Sequence, residues 1–542
     1  MWPFRKNTEP FRFRGAEGAA ILERYQGKDE NVIVPKEYNG LPVTEIGENA
    51  FYDQSKIQTV SIPDTVKTIG VNAFRGCKKL LKVSLPDSVA EIGDGAFTGC
   101  SSLTDITIPC NVTKIPSRLF QKCASLACME LSDNVTEIGE EAFSGCASLS
   151  SVRLGRSLIK IGDKAFAGAN EKMVIAVFSE KPQFTARDLG SAERIFVRAG
   201  EGLVLAAYNG HDVNIEIQDE VYGRPVIGLG EGVFRMFAYL ESIKLPKNLR
   251  AIMAECFTGC DGLAKIDLPD TLLEIGRGAF AGTAMELVSI PASVREVGEN
   301  AFFGAVGMKK VVFEGNTCDI RAGAFARSGL EEIVLPKDNT EIQSEVFRDC
   351  RRLKNVYIPE NTEAIWEYAL AGTALERIAL PKTVEVIGEG AFLGMKALTS
   401  IEIQEHVREI GKSAFAFGSD ALTISVSGDN SRFFMDSSLL TDRKERRVIA
   451  CAAGMANKAI SVSEDIHEIG DCAFAGNAGI REISLPYSLK KIGDWAFREM
   501  DALEKLEIKA ENLQIGEDIL NQTDIETIIA SERIKDLLTA EA

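Results

Sequence analysis

The chain has 542 residues, too many for one ordinary hydrophobic core, so it must divide into domains or stack as a repeat array. Its 45 % apolar and 26 % charged composition is that of a globular protein, not of a disordered or fibrous one. A net charge of −18 argues against nucleic acid or an anionic membrane surface as the main partner, and no apolar stretch approaches the roughly 20 residues of a bilayer-spanning helix.

The N-terminus, Met1-Trp-Pro-Phe4-Arg-Lys, lacks the apolar h-region of a secretory signal. Twelve cysteines in a chain of this length are too sparse for a disulfide scaffold. Both features favour a reducing, cytoplasmic location. The extreme end is expected to be disordered, with Phe11 and Phe13 opening a capping module over residues 1–45 that also carries Tyr25-Gln-Gly27-Lys-Asp29 and Gly40-Leu-Pro42-Val43.

Phenylalanine then recurs every 23 residues, at 51, 74, 97, 120, 143 and 166. A second series stands at 234, 257, 280, 302, 325 and 347, continues at 392 and 415, and closes at 474 and 497, with Leu370 filling its one gap. The unit reads Leu80-x-x-Val83-x-Leu85-Pro86-x-x-Val89-x-x-Ile92-Gly93-x-x-Ala96-Phe97-x-Gly99-Cys100. Val83 and Leu85 alternate with polar residues, the period of a half-buried strand, and Pro86 ends it because proline cannot donate to a ladder. A unit this short cannot bury its own apolar face, so the coils must stack into a solenoid.

This unit resembles the leucine-rich repeats of the BspA-like type, a bacterial and protist surface-protein family, and the resemblance covers nearly the whole chain. It implies short parallel β-strands on a concave face, with turns and short helical segments on the convex face. It also implies non-catalytic binding of a protein partner through the concave sheet. Many members are secreted or surface-bound, which makes an adhesin or antigen exported by an unrecognised route the alternative to a cytoplasmic scaffold.

The first array spans 46–192, its last coil degenerate. At an offset of 183 residues the opening pattern returns as Tyr208-Asn-Gly210-His-Asp212 and Gly223-Arg-Pro225-Val226, with Phe196, Val204 and Leu205 in the places of Phe13, Ile21 and Leu22. A second cap module over 193–228 therefore precedes a second array of eleven coils over 229–502, and 503–542 reads as a C-terminal cap with a short helix over Ser531–Leu538.

Within the second array, the residue after each strand centre should face the concave side. There Val312, Val334, Tyr357 and Ala379 are apolar on four consecutive coils, and Trp366 stands nearby in the slot that glycine usually fills. An apolar row amid polar neighbours marks a candidate partner-binding surface. Further on, Phe415 and Phe474 lie 59 residues apart, so residues 429–457 are an insertion between strands at Ile424–Val426 and Ile460–Val462. Its cluster Asp442-Arg-Lys-Glu-Arg-Arg447, flanked by Leu439-Leu440 and Val448-Ile449, reads as a hairpin with a charged tip, and an enzyme with its site in this insertion is the remaining alternative.

The chemistry of an active site is hard to find elsewhere. His211, His406 and His467 have no motif partners, and Gly228-Leu-Gly230-Glu-Gly232 lacks the strand–loop–helix context of a nucleotide loop. No catalytic residue, metal ligand set or cofactor site is expected. Cys77, Cys100, Cys123 and Cys146 follow the ladder Phe at the same place on consecutive coils. They should form a straight column of small buried thiols, an arrangement that cannot surround a tetrahedral ion.

Overall fold

One coil explains the array. In the computed structural model, which describes residues 10–540, Lys82–Ser84 forms the first strand of its coil. Val83 is buried there and Lys82 and Ser84 face out, as the pleat requires. The chain turns over Pro86–Val89, forms a second strand at Glu91–Ile92, and returns through the turns that carry Phe97. All three sides bond to the coil before: Val60 pairs with Val83, Ile69 pairs with Ile92, and Phe74 N–H donates to Ala96 C=O at 2.7 Å.

The solenoid of stacked parallel strands is as expected, but the short helical segments on its far side are hydrogen-bonded turns instead. Among the described residues, helix is confined to two 3-10 segments, Ala186–Leu189 and Ala453–Met455, and one α-helix, Glu532–Ala540. The reason lies in the backbone. In each ladder coil the residues two before and two after the Phe are left-handed, as at Asn72 (φ 53°) and Gly76 (φ 77°), or Arg118 (φ 58°) and Lys122 (φ 63°). A right-handed helix cannot contain such residues. The glycine of the Ile-Gly pair has another cause: a Cβ on Gly93 would lie 2.4 Å from Val71 N, so the coils could not close up.

The ladder rings fill the core. Phe51 to Phe166 stack face to face with centroids 4.8 to 5.7 Å apart, and Phe234 to Phe347 continue in the same way at 5.3 to 5.9 Å. This is close to the strand spacing of about 4.8 Å, so each ring lies on its neighbour without distorting either ladder.

The chain divides into two compact units, Met1–Asp212 with Gln218–Val233, and Val213–Ile217 with Phe234–Ala542. The aromatic and cationic stretch from Trp2 to Lys6 lies outside the described residues. In the first unit, Phe11–Ala16 pairs antiparallel with Ala19–Tyr25, and Tyr25 stacks on Phe51 at 5.4 Å. Arg194–Ala199 and Gly202–Tyr208 repeat that hairpin, even to the register shift between Arg12 and Phe13, which returns between Ile195 and Phe196. Tyr25 donates to Asp29 at 3.0 Å and Tyr208 to Asp212 at 3.2 Å, so the duplicated Tyr-x-Gly-x-Asp motif is one side-chain bond used twice.

In the second unit, the insertion is a three-stranded meander of Phe433–Asp436, Leu439–Asp442 and Arg447–Cys451. Its last strand joins the second-strand ladder beside Glu468–Ile469. The C-terminal helix runs over Glu532–Ala540 and buries Ile534 and Leu538 against the final coils.

Candidate functional site

Leu287–Ile290, Lys310–Phe313, Glu332–Val334 and Asn355–Tyr357 pair in parallel as one four-stranded sheet. Their centres Val288, Val311, Ile333 and Val356 turn inward, so the residues on either side must face out. Register brings Ser289 beside Val312 and Val334 beside Tyr357. Val334 and Tyr357 are 62 % and 58 % exposed, and Val312 38 %, which is a large apolar exposure for adjacent strands.

The sheet thus places Val312, Val334 and Tyr357 in one row. Ala379 is exposed in the coil that follows, whose first strand is reduced to a bridge between Arg377 and Ser400. Trp366 is elsewhere. It follows the second strand Ala364–Ile365, half-buried, and its Nε1 donates to Glu341 at 3.0 Å on the second-strand side of the coils. Leu287, 55 % exposed, extends the row's sheet at the position before the strand centre, which a reading of only the following position overlooks.

Two cavities open on this side. One of about 430 Å³ is lined by Val312, Phe313, Val334, Leu335 and Pro336, with Lys310 and Glu332 at its rim. The other, about 560 Å³, is lined by Ala379, Ile401, Ile424 and Met455 among others. The Lys310–Glu332 ion pair beside the row is about half exposed and contributes little to stability. Its effect is to set a polar margin on an apolar strip.

The titratable groups are occupied by structure. Cys77, Cys100, Cys123 and Cys146 each donate to the carbonyl of the ladder Phe one coil back, Phe51, Phe74, Phe97 and Phe120, at 3.0 to 3.2 Å. Burial pushes the Cys77 and Cys146 thiols up to about 12, so they are inert as nucleophiles. All twelve cysteines are free, and Cys110 and Cys128 are the exposed ones. His406 Nδ1 bonds the Lys382 carbonyl at 2.8 Å and His467 Nε2 meets Arg446 at 3.3 Å. Among the described residues, no three His, Cys, Asp or Glu side chains gather as a metal site, and no helix is long and apolar enough to cross a membrane.

The insertion's charges are also engaged. Asp442 is fully buried; one oxygen accepts from the Arg432 guanidinium at 2.9 Å, the other from the backbone N–H groups of Lys444 and Glu445 at 2.8 and 3.0 Å. Asn430 holds the meander's entry by donating to the carbonyls of Gln404 and Val407. Asp442 and Asn430 are thus used within the meander and its attachment.

A three-sided coil with a stacked aromatic core and a half-buried first strand is a leucine-rich repeat of a particular kind. The BspA type leucine rich repeat region (6 copies) matches residues 44–172, 227–354, 318–439 and 451–539, more than half of the chain. The chain belongs to that family. Among solved structures it is similar to a Treponema pallidum leucine rich repeat protein at 35 % identity, over 31 % of this chain and 83 % of that one, with a TM-score of 0.27. It is also similar to a leucine rich cell surface protein of Faecalibacterium prausnitzii at 25 % identity, over 66 % and 95 %, TM-score 0.30. A leucine-rich repeat protein of Bacteroides ovatus matches at 21 % identity, over 96 % and 99 %, TM-score 0.29. No curated protein matches the chain.

Proposed function

We propose that this protein is a non-catalytic scaffold that binds a protein partner through the first-strand side of its second array. The observation that carries the reading is the exposed row Val312, Val334 and Tyr357, continued by Ala379, with Leu287 on the same sheet. Burying such a strip against a complementary surface removes apolar area from water, and a tyrosine with a free edge is a typical anchor. A net charge of −18 favours a protein over nucleic acid as the partner. The enzyme alternative in the insertion is disfavoured because Asp442 is held by Arg432 and two backbone donors.

Benzoylphenylalanine in place of Tyr357, irradiated in native cells, is expected to capture one recurrent partner. Val334→Asp combined with Tyr357→Ala should weaken that partner's binding by about thirtyfold or more while leaving the thermal transition in place. Retention of the partner by the double variant would remove the row from consideration.

Location is part of the same proposal. Buried free thiols suit a reducing cytoplasm, whereas the cell surface similarity of the Faecalibacterium protein suits the adhesin alternative. Protease shaving of intact cells separates them: protection until lysis supports a cytoplasmic scaffold, and cleavage on intact cells gives the adhesin reading the lead.

A further inference from the structure

The first-strand ladder breaks where the insertion enters, and the break leaves a strand edge open. Thr423–Val426 pairs with Ser400–Ile403 on one side, while Ala459–Ser461, the next first strand along the chain, pairs only with Glu482–Leu485 on its far side. In an uninterrupted coil the residue two after the strand centre donates across to the next coil, as Leu335 does to Tyr357 C=O at 3.2 Å and Val462 to Ser484 C=O at 2.9 Å. Val426 stands at that position, two after Ile424, and its N–H has no acceptor among the described residues.

The Ile424 N–H and C=O, which alternate with the Thr423 and Ser425 groups turned to the Ser400–Ile403 strand, are likewise unpaired. The 3-10 segment Ala453–Met455 bonds this edge at its beginning, where Gly454 N–H donates to Leu422 C=O at 2.9 Å, and the meander strand Phe433–Asp436 lies near the same strand without pairing with it.

Two further observations separate this break from the gap after Asp105–Ile106. Between Asp105–Ile106 and Cys128–Glu130 the strands also fail to pair, but there the rings of the two coils, Phe120 and Phe143, still stack at 5.6 Å. At the insertion the ring stack ends with Phe392 on Phe415 and resumes with Phe474 on Phe497, although the turn side stays bonded through Phe417 N–H to Ala475 C=O at 3.2 Å. In addition, the open edge borders the 560 Å³ cavity, to which Ile401, Ile424 and Met455 contribute apolar surface and Arg377 and Glu402 opposite charges.

We infer that the Thr423–Val426 edge is a strand-addition site that takes an extended peptide segment of a partner protein in parallel register. Buried or half-buried backbone donors and acceptors at strand spacing are satisfied in full only by another extended backbone. In the guest, the residues flanking an apolar centre supply the groups that meet Ile424 and Val426, as Glu482 and Ser484 do for Ile460 in the neighbouring sheet. Its alternate side chains lie over the cavity. This site rests on backbone pairing, independent of the Val312–Tyr357 row, and the two fail separately.

The test uses the full chain and fluorescein-labelled nine-residue peptides copying its own first strands, beginning with Ala397–Glu405, whose Ser400–Ile403 segment already pairs in parallel with the opposite edge of this strand. Saturable binding is expected, together with slowed amide exchange at Ile424 and Val426. Proline at the peptide position copied from Glu402 removes the donor to Ile424 C=O and should lower affinity at least tenfold.

Val426→Pro should do the same from the protein side, since that N–H makes no bond among the described residues; an unchanged melting transition shows that the variant folds. Tyr357→Ala should leave peptide binding as it was. Absence of saturable binding by every peptide in the set, exchange protection confined to other strands, or binding indifferent to Val426→Pro overturns the inference.

Discussion

The regular coils from Phe51 to Phe166 and the interrupted stretch from Thr423 to Ser461 solve the same problem in opposite ways. In the regular coils most contacts recur: ring on ring at every step, thiol on carbonyl over four coils, and strand on strand on either side of one gap. The interrupted stretch depends on contacts made once, above all Asn430 on the Gln404 and Val407 carbonyls and Arg432 on Asp442. Repetition makes stability nearly a sum of neighbour terms, so that no single coil is indispensable. Contacts made once concentrate the dependence on a few residues and leave edges that the repeat would have closed. That is why the candidate strand-addition site lies at the insertion.

The contrast can be broken most directly at its strongest point. Phe120→Ala removes a fully buried ring stacked on both sides, by Phe97 at 5.7 Å and by Phe143 at 5.6 Å, and should cost about 3–5 kcal/mol. Denaturant unfolding followed by amide exchange should show the loss spread over the neighbouring coils of the first unit. Asp442→Ala comes next. It strips a buried carboxylate from Arg432, which is 28 % exposed and can be partly resolvated, so about 2–3 kcal/mol is expected. Here exchange should accelerate within residues 430–451 and leave the Phe51–Phe166 coils unchanged; a uniform loss would mean that the insertion is no separate unit of stability.

The thiol column sharpens the comparison through pH. Cys77 and Cys146 are pushed up to about 12 by burial, whereas an unfolded thiol titrates near 8.5. The folded state therefore holds protons that the unfolded state releases. Their contribution is complete below about pH 8.5 and is lost as pH rises from there toward 12, at up to about 1.4 kcal/mol per thiol per pH unit. Unfolding midpoints at pH 7, 9 and 10 should fall accordingly in the first unit, and Cys77→Ala should flatten the slope. With a thiol reagent at pH 8, Cys110 and Cys128 should react quickly and the other ten only on unfolding.

The smallest effect is a gain. Lys164 is exposed and left-handed at φ 55°, in the position that Gly95 fills at φ 63° three coils earlier, in the ladder's register with Asn72 and Arg118. Lys164→Gly relieves that strain and should stabilise by about 0.5–1 kcal/mol, read as a higher thermal midpoint. A loss instead would show that the lysine's stem packs on the turn.

Much of this was legible in the sequence because a repeat prints its packing rule many times. The Phe spacing located the core stack, the Pro after the strand located its end, and the hairpin tip at Asp442–Arg447 announced itself by charge between apolar pairs. The three faces of a coil were less legible. Trp366 is near Tyr357 in sequence, but a second strand at Ala364–Ile365 turns it toward Glu341 and away from the row. The Phe433–Asp436 strand was hidden because it alternates weakly, and Leu287 because exposure on a pleat depends on which side of the strand centre a residue stands.

What the sequence determined by itself was the solenoid, its 23-residue pitch and the column of rings and thiols, since each follows from periodicity and from the need of a short unit to bury its apolar face against another. Tertiary structure alone decided the rest. The left-handed residues on either side of each Phe turn the far side into bonded turns instead of helix, because their φ values exclude a right-handed helix whatever the local propensity. The meander's displacement of one strand from the ladder opens the edge at Ile424 and Val426, because backbone bonds are assigned between coils and no pattern within a coil records which neighbour is missing.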